Sequence, residues 1–429
     1  MKGNFQIILV VIFVGLAVFA VMVFSGAVPI GKQKAKTNLG TVVMWGTVKS
    51  DLMAQILQDF NDVNKTFLVK YVQKFPDTFD KDLLEALAAG KGPDLFFLPD
   101  NLAYGYSNKI YNIPFSSYPE TSFKNTFASA GEVFMTSKGI LAFPISIDPL
   151  MMYYNRSILD SEDIVFPPKY WDEFINIVHS ITQKSDDKQI IRSTVAMGQY
   201  SNVNNAKDIL ATLFMQNGNS IVVEKDGGFY SSLDLNQNSA LSNMLSFYIS
   251  FADPLKENYS WNRSLPNSQD AFSAEKLAFY FGYASELRSL INKNPNQNFQ
   301  VTSFPQIKNA KFKSTSARVI GVAVSSFSKN LNTAIVAANL MATTDFAKKF
   351  SDATGVVPAR RDLLAVKPTD AFFPSFYTSA LFARSWLDPS PNDTDNIFRN
   401  MVDNVLSNKS NSESAISDAS GKLNILLKK

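Results

Sequence analysis

Cysteine is absent from the 429 residues, which excludes a disulfide framework, a thiolate nucleophile and cysteine-ligated zinc. A single histidine, His179, excludes His-rich metal sites and leaves little room for a conventional Ser–His–Asp arrangement. The chain also lacks a G-x-S-x-G elbow, a Walker A loop, an internal repeat and any long low-complexity tract. A field of one charge sign is missing too. Residues 1–36 carry four lysines and no acids, and the remainder holds 37 basic against 38 acidic residues. The basic balance therefore belongs to the N-terminal segment, and no nucleic-acid partner is expected. The expectation is a protein without catalytic residues, metal or cofactor.

What is present begins with a hydrophobic span. Phe5 to Val28 is 24 residues without a charge, which as a helix would reach about 36 Å against the roughly 30 Å hydrocarbon core of a bilayer. It reads as an uncleaved membrane anchor. A signal peptide is the alternative, because Ser25-Gly26-Ala27 offers small residues at a cleavage position. Lys2 precedes the span and Lys32, Lys34 and Lys36 follow it, so charge does not fix its orientation. Either way the bulk of the chain is directed to the outer side of a membrane. Gly31 to Asn38 forms a short polar linker.

After the linker, strands alternate with helix-length segments. Thr41–Trp45, Phe67–Val72 and Asp94–Leu98 read as strands. Helices fall between them, from a Ser50 N-cap to Asn64 and from Phe79 to Ala89, where Gly90 and Pro93 end the second. This pattern predicts a parallel α/β sheet, in which ligands sit beyond the carboxyl ends of strands. A second α/β region follows residue 150, with a helix from Trp171, strands at Thr194–Met197, Leu277–Phe281, Val301–Phe304 and Arg318–Val324, and a hairpin at Gly227-Gly228. The last third reads as helical. Length alone favours two or more domains.

The residues just after strands are the candidates for chemistry. Trp45, Tyr200, Tyr283 and Trp386 stand at element ends beside polar neighbours (Thr47, Gln199, Ser285, Asp388). Sugar rings offer an apolar face and a hydroxyl rim, so a flat aromatic beside a carboxylate or amide is what a carbohydrate site requires. Core packing is the competing reading for each ring. Asp148 is the sharpest signal. It interrupts two apolar extended runs, Ile140–Ile145 and Leu150–Tyr154, and a carboxylate there must be solvated, paired or offered to a ligand. Gly90-Lys91-Gly92 reads as a helix cap and turn, and Asp393-Thr394-Asp395 as a helix start. His179 reads as a solvated or packed residue.

The Gly139–Phe174 block, GILAFPISIDPLMMYYNRSILDSEDIVFPPKYWDEF, resembles the first interlobe crossing of the sugar-type extracellular solute-binding proteins of ABC importers, the group containing maltose-binding protein. Four further blocks resemble the same family in order: Ala86–Asp100, Ala271–Leu287, Ala317–Ala334 and Ala353–Arg360. The resemblance covers essentially residues 40–429. It implies an α/β, two-lobed periplasmic-binding-protein-like fold with discontinuous lobes and an interlobe cleft, preceded here by the N-terminal hydrophobic helix. The implied division is residues 37–147 with 319–362 for one lobe, and 148–318 with 363–429 for the other, closing by a hinge.

Carried onto matching positions, the resemblance implies a ligand pocket of Trp45, Thr47, Asp100, Asn101, Asp148, Gln199, Tyr200, Tyr283, Trp386 and Asp388. The implied function is an extracellular receptor, monomeric and without cofactor, that binds an oligosaccharide, sugar or polyol and delivers it to ABC transporter permease subunits. A tethered sensor or adhesin is the alternative. So, in another class, is a secreted carbohydrate-active enzyme using Asp100 and Asp148. Peptide, polyamine and metal-chelate ligands are alternatives within the binding class. The chain departs from the family in lacking the cysteine through which many members are tethered, so the hydrophobic span would itself be the tether. Leu98-Pro99 stand where some sugar-binding members carry an aromatic platform.

Overall fold

Alternation of strand and helix dominates the computed structural model, which describes residues 40–233 and 240–428. The hydrophobic span at 5–28 lies outside them, and among the described residues no helix is long and apolar enough to cross a membrane. The strands are β1 Thr41–Gly46, β2 Leu68–Gln73, β3 Leu95–Pro99, β4 Met135–Thr136, β5 Gly139–Ile140, β6 Ala142–Asn155, β7 Gln183–Lys184, β8 Ile190–Val195, β9 Val222–Lys225, β10 Gly228–Ser231, β11 Leu277–Tyr283, β12 Phe299–Ser303, β13 Thr315–Val324 and β14 Ala383–Arg384. Ten of them form one sheet in the order β2-β1-β3-β13-β6-β11-β8-β7, with β12 added to β6 and β14 to β13.

Only part of that sheet is parallel. β1 runs parallel to β2 and β3, and β11 runs parallel to β8. β6 and β13 run antiparallel to each other, β6 also to β11 and β12, and β13 also to β3. The expectation of a parallel sheet holds for β1 with β2 and β3 and for β8 with β11, and fails at the joining strands and at the β7 edge, which runs antiparallel to β8. For the joining strands the reason is visible in β6. Its first residues, through Pro149, pair with Ala317–Ala323 of β13; from Leu150 onward it pairs with β11 on one edge and β12 on the other. One 14-residue strand thus serves two half-sheets. The two apolar runs seen in the sequence are one strand, and Asp148 sits on it just before the change of partners.

Each half has its own helices, and their apolar faces join one continuous hydrophobic core. Helix Ser50–Val63 buries Met53, Ile56, Leu57 and Phe60, an i, i+3, i+4, i+7 stripe, and packs Phe60 on Phe346 with ring centroids 5.3 Å apart. The expected Ser50 N-cap is not formed: Lys49 is the cap residue, and Ser50, the first helical residue, donates its N–H and hydroxyl to Gln73 Oε1 instead. In the second half, helix Trp171–Ile181 buries Trp171, Phe174, Val178 and Ile181, and His179 on the opposite side is exposed. Its start is fixed by Glu173, whose Oε2 accepts from the N–H groups of Lys169 (2.7 Å) and Tyr170 (3.2 Å), satisfying donors a helix leaves open. Short helices at 120–126, 156–161, 361–364 and 373–380 were not legible as periodic patterns, since none exceeds eight residues.

One glycine decides how the second half reaches the centre. Gly198 follows β8 with φ +89, and a Cβ there would lie 2.6 Å from the backbone nitrogen of Ala252. Neither the left-handed conformation nor a fixed backbone neighbour can yield to a methyl group. Gly198→Ala is expected to destabilise the protein by about 1–3 kcal/mol, read as a lower denaturant midpoint at unchanged slope.

Candidate functional site

A cleft of about 1370 Å³ opens between the two half-sheets. Its floor is the crossing itself, Ser146–Asp148 of β6 and Ser316–Ile320 of β13. Thr47, Asp100 and Asn101 enter from the ends of β1 and β3. Tyr200–Asp208 and Tyr283–Arg288 enter from the opposite half, and Arg384–Trp386 close a third side. The segment Val357–Ala359 lies against β6 there: Ile147 N–H donates to Val357 O (3.0 Å) and Ala359 N–H to Ile145 O (3.2 Å). Backbone groups of β6 that its neighbouring strands do not use are satisfied in this way.

Eight of the ten sequence-predicted residues line this cleft: Thr47, Asp100, Asn101, Asp148, Tyr200, Tyr283, Trp386 and Asp388. Trp45 and Gln199 do not. Trp45 has Lys74 Nζ 3.8 Å from its ring centroid, and the Gln199 backbone carbonyl accepts from Tyr248 (2.6 Å). Gln199 precedes the lining Tyr200, and Trp45 lies two residues before the lining Thr47, which follows the end of β1 at Gly46.

The two predicted acids at the crossing are held by serine donors. Asp148 Oδ1 accepts from the Ser285 N–H at 2.9 Å and Oδ2 from its hydroxyl at 2.6 Å. Asp100, 7% exposed, accepts from the Ser385 hydroxyl and from the Asn101 N–H (3.0 Å). Burial pushes both carboxyls up to about 6, against the opposing pull of the serine donors and of Arg318. Asp388 is an internal anchor instead, taking Lys207 Nζ at 2.8 Å and the Thr394 hydroxyl at 2.9 Å.

The predicted aromatics share a feature that no local pattern discloses: each has a cation over its ring. Arg318 lies 3.8 Å from the Tyr283 centroid, Arg399 lies 5.6 Å from that of Tyr200, and Lys207 lies 5.8 Å from that of Trp386. Tyr200 also donates to Asp395 Oδ1 (2.7 Å), and Trp386 stacks on Phe398. At Tyr283 the guanidinium lies in contact with the ring face; beside Tyr200 and Trp386 the cation stands farther out.

Sequence reasoning missed several lining residues: Arg318, Asp208, Asn205, Arg288, Ser385 and the half-buried Phe373. Arg318 was within reach. It is a lone charge in the apolar run Ala317–Val324, the same signal that singled out Asp148, and the two are Cα partners in the β6–β13 register. Asn205, Arg288, Ser385 and Phe373 lie in loops or short helices, where periodicity says nothing, and Asp208 sits in the first turn of helix Ala206–Gln216, where an acid reads as ordinary helix-start chemistry. Among the described residues no group of three or more His, Asp or Glu side chains is placed to hold a metal ion.

Comparison with known proteins agrees with this geometry. Residues 55–373 match the family described as bacterial extracellular solute-binding protein. A cyclo/maltodextrin-binding protein complexed with maltotetraose superposes with a TM-score of 0.72 at 17% identity, over 91% of this chain and 98% of that one. The sugar-binding protein MalE from the phytopathogen Xanthomonas citri gives 0.72 at 16% identity, over 90% and 97%. A solute-binding protein of an ABC transporter from Thermotoga lettingae, bound with alpha-D-tagatose, gives 0.62 at 19% identity, over 90% and 100%. These likenesses establish the shared fold.

Proposed function

The chain belongs to the bacterial extracellular solute-binding proteins, and from that premise we propose that its cleft receives a saccharide and delivers it to an ABC importer. The observation that carries the ligand class is the lining. Carboxylates (Asp100, Asp148, Asp208), amides (Asn101, Asn204, Asn205) and hydroxyls (Ser146, Ser285, Ser316) converge on one cleft, supplying the donors and acceptors that a hydroxyl-rich molecule needs. The saccharides named in the complexes of fold neighbours support the same class. The glycosidase reading of Asp100 and Asp148 has no such support, since the neighbours are binding proteins.

On this reading residues 37–147 with 319–362, and 148–318 with 363–429, are the two closing bodies. The exchange of β6 partners between Pro149 and Leu150 supports that division. The protein works as a monomer on the extracellular or periplasmic side. The hydrophobic span holds it to the membrane, and permease subunits take the ligand from the closed form.

A thermal-shift and calorimetric screen over oligosaccharides, polyols, peptides and polyamines tests the proposal. A solute at a hundred times its Kd stabilises the folded state by about 2.7 kcal/mol, so a saccharide is expected to raise the melting temperature. The Trp45→Ala variant should bind it as wild type does, because Trp45 stands outside the cleft lining. Stabilisation by peptides or polyamines alone would overturn the saccharide reading.

A further inference from the structure

Tyr283 cannot serve as a stacking platform in this structure: it is 1% exposed, and the guanidinium of Arg318 covers it at 3.8 Å. Arg318 itself is exposed to the cleft and has most of its hydrogen-bonding capacity free. Of the five N–H donors of a guanidinium, one is used, in a long bond from Nη2 to Asn205 Oδ1 at 3.4 Å. Two of the acids around it are engaged by neutral donors: Asp148 by Ser285, and Glu286 by Tyr280, Gln269 and Asn205. Stacked on the ring, with its charge opposite Asp148 across the β6–β13 register, the guanidinium is held in place before any ligand arrives.

Charge narrows what can engage it. Asp100, Asp148, Asp208 and Glu286 all act electrostatically with Arg318 and outnumber it. Of the other cations lining the cleft, Lys207, Arg384 and Arg399 are paired with Asp388, Glu132 and Asp395, and Arg288 stands near Gly355. A ligand anion seated against Arg318 would therefore be drawn to its guanidinium and repelled by the carboxylates around it, and a ligand cation there would meet the guanidinium. A neutral hydroxyl suffers neither penalty, because it accepts from the guanidinium and donates to a carboxylate at once. We propose that Arg318 is the specificity-determining residue of the cleft, reading the hydroxyl oxygens of a neutral saccharide that bridge it to Asp148 and Asp208, and disfavouring acidic sugars such as uronates. This rests on the saccharide reading above.

The test is calorimetry on the full-length protein with maltotetraose, mannotriose and trigalacturonate. The variants are Arg318→Met, which keeps an unbranched stem over Tyr283, and Arg318→Lys. Wild type is expected to bind at least one neutral oligosaccharide tenfold or more tighter than trigalacturonate. Arg318→Met should weaken that binding at least tenfold in a still-folded protein whose melting temperature falls at pH 7, because Asp148 and Asp208 lose an opposing charge, and Arg318→Lys should restore part of both. Two results overturn the assignment: Arg318→Met binding the neutral sugar as tightly as wild type or tighter, which would make the arginine a mere cover for Tyr283, or a wild-type preference for trigalacturonate. If none of the three binds wild type and the thermal-shift screen yields only peptides or polyamines, the saccharide reading falls with it. If wild type and Arg318→Met bind a neutral sugar alike, the saccharide reading stands and only the arginine assignment fails.

Discussion

Trp171→Ala is expected to lower the unfolding free energy by about 3–5 kcal/mol, the largest single-site effect on stability expected here. The indole is 7% exposed and touches four rings, with centroids at 5.6 Å (Phe174), 5.5 Å (Phe247), 5.9 Å (Phe281) and 5.4 Å (Phe304). Its Nε1–H donates to Gln216 Oε1 at 2.9 Å, and the Gln216 amide donates in turn to the carbonyls of Pro305 (2.7 Å) and Ser314 (3.0 Å). Removing the indole leaves a cavity and an unpaired buried acceptor together. Trp171→Phe separates these losses: it keeps much of the packing, and the orphaned glutamine oxygen should then cost about 1–3 kcal/mol. Because Ser314 leads directly into β13, the loss is transmitted to the crossing. Chemical denaturation of both variants checks this, and a loss below about 1 kcal/mol for the alanine variant would refute the description of this cluster as part of the core in the second half.

The second large effect has the opposite sign. Asp148→Asn should stabilise the unliganded protein at pH 7 and weaken its ligand binding. The ordinary carboxyl value is 3.8, and the Asp100 and Asp148 carboxyls are pushed up to about 6, desolvation being the leading cause. In the unfolded chain both return to the ordinary value, so between about pH 4 and pH 6 the folded state binds more protons. The stability linked to these groups is therefore fully present below the unfolded value and is lost as pH rises through about 6. At pH 7 each ionised carboxylate costs up to about 3 kcal/mol, less for Asp148, which is partly open to the cleft. Asparagine carries no charge to desolvate and keeps an acceptor for the Ser285 N–H. Its advantage should be largest near pH 7 and vanish near pH 4. Melting curves at pH 4, 6 and 7.5 decide the matter: wild-type and variant stabilities that differ equally at all three would show that Asp148 is not a strained carboxylate. Such strain has a use, since a ligand hydroxyl donated to a half-buried carboxylate relieves part of it on binding.

The sequence was a good guide wherever a single element decided the matter. β1, β3, β11 and the helices at 50–63, 79–88 and 171–181 fall within a few residues of their expected positions. Their signals are local, carried by apolar periodicity and by the glycines and prolines that end them. The same logic found eight of the ten predicted residues in the cleft, because chain ends leaving neighbouring strands are delivered to one edge of a sheet. It missed Trp45 and Gln199, whose neighbours Lys74 and Tyr248 are brought to them only by the packed fold.

By itself, then, the sequence determined an α/β chain without thiol or histidine chemistry, with polar and aromatic residues at strand ends and a family likeness in five ordered blocks. The tertiary structure alone decided that two apolar runs are one strand, that the joining strands run antiparallel, and that the aromatics carry cations. Lys207 reaches Trp386, and Arg399 reaches Tyr200, across nearly half the chain in each case. Local pattern records how a residue fits its own helix or strand. Partners so distant in sequence meet only after the halves have packed, and the chemistry of this cleft is set by those meetings.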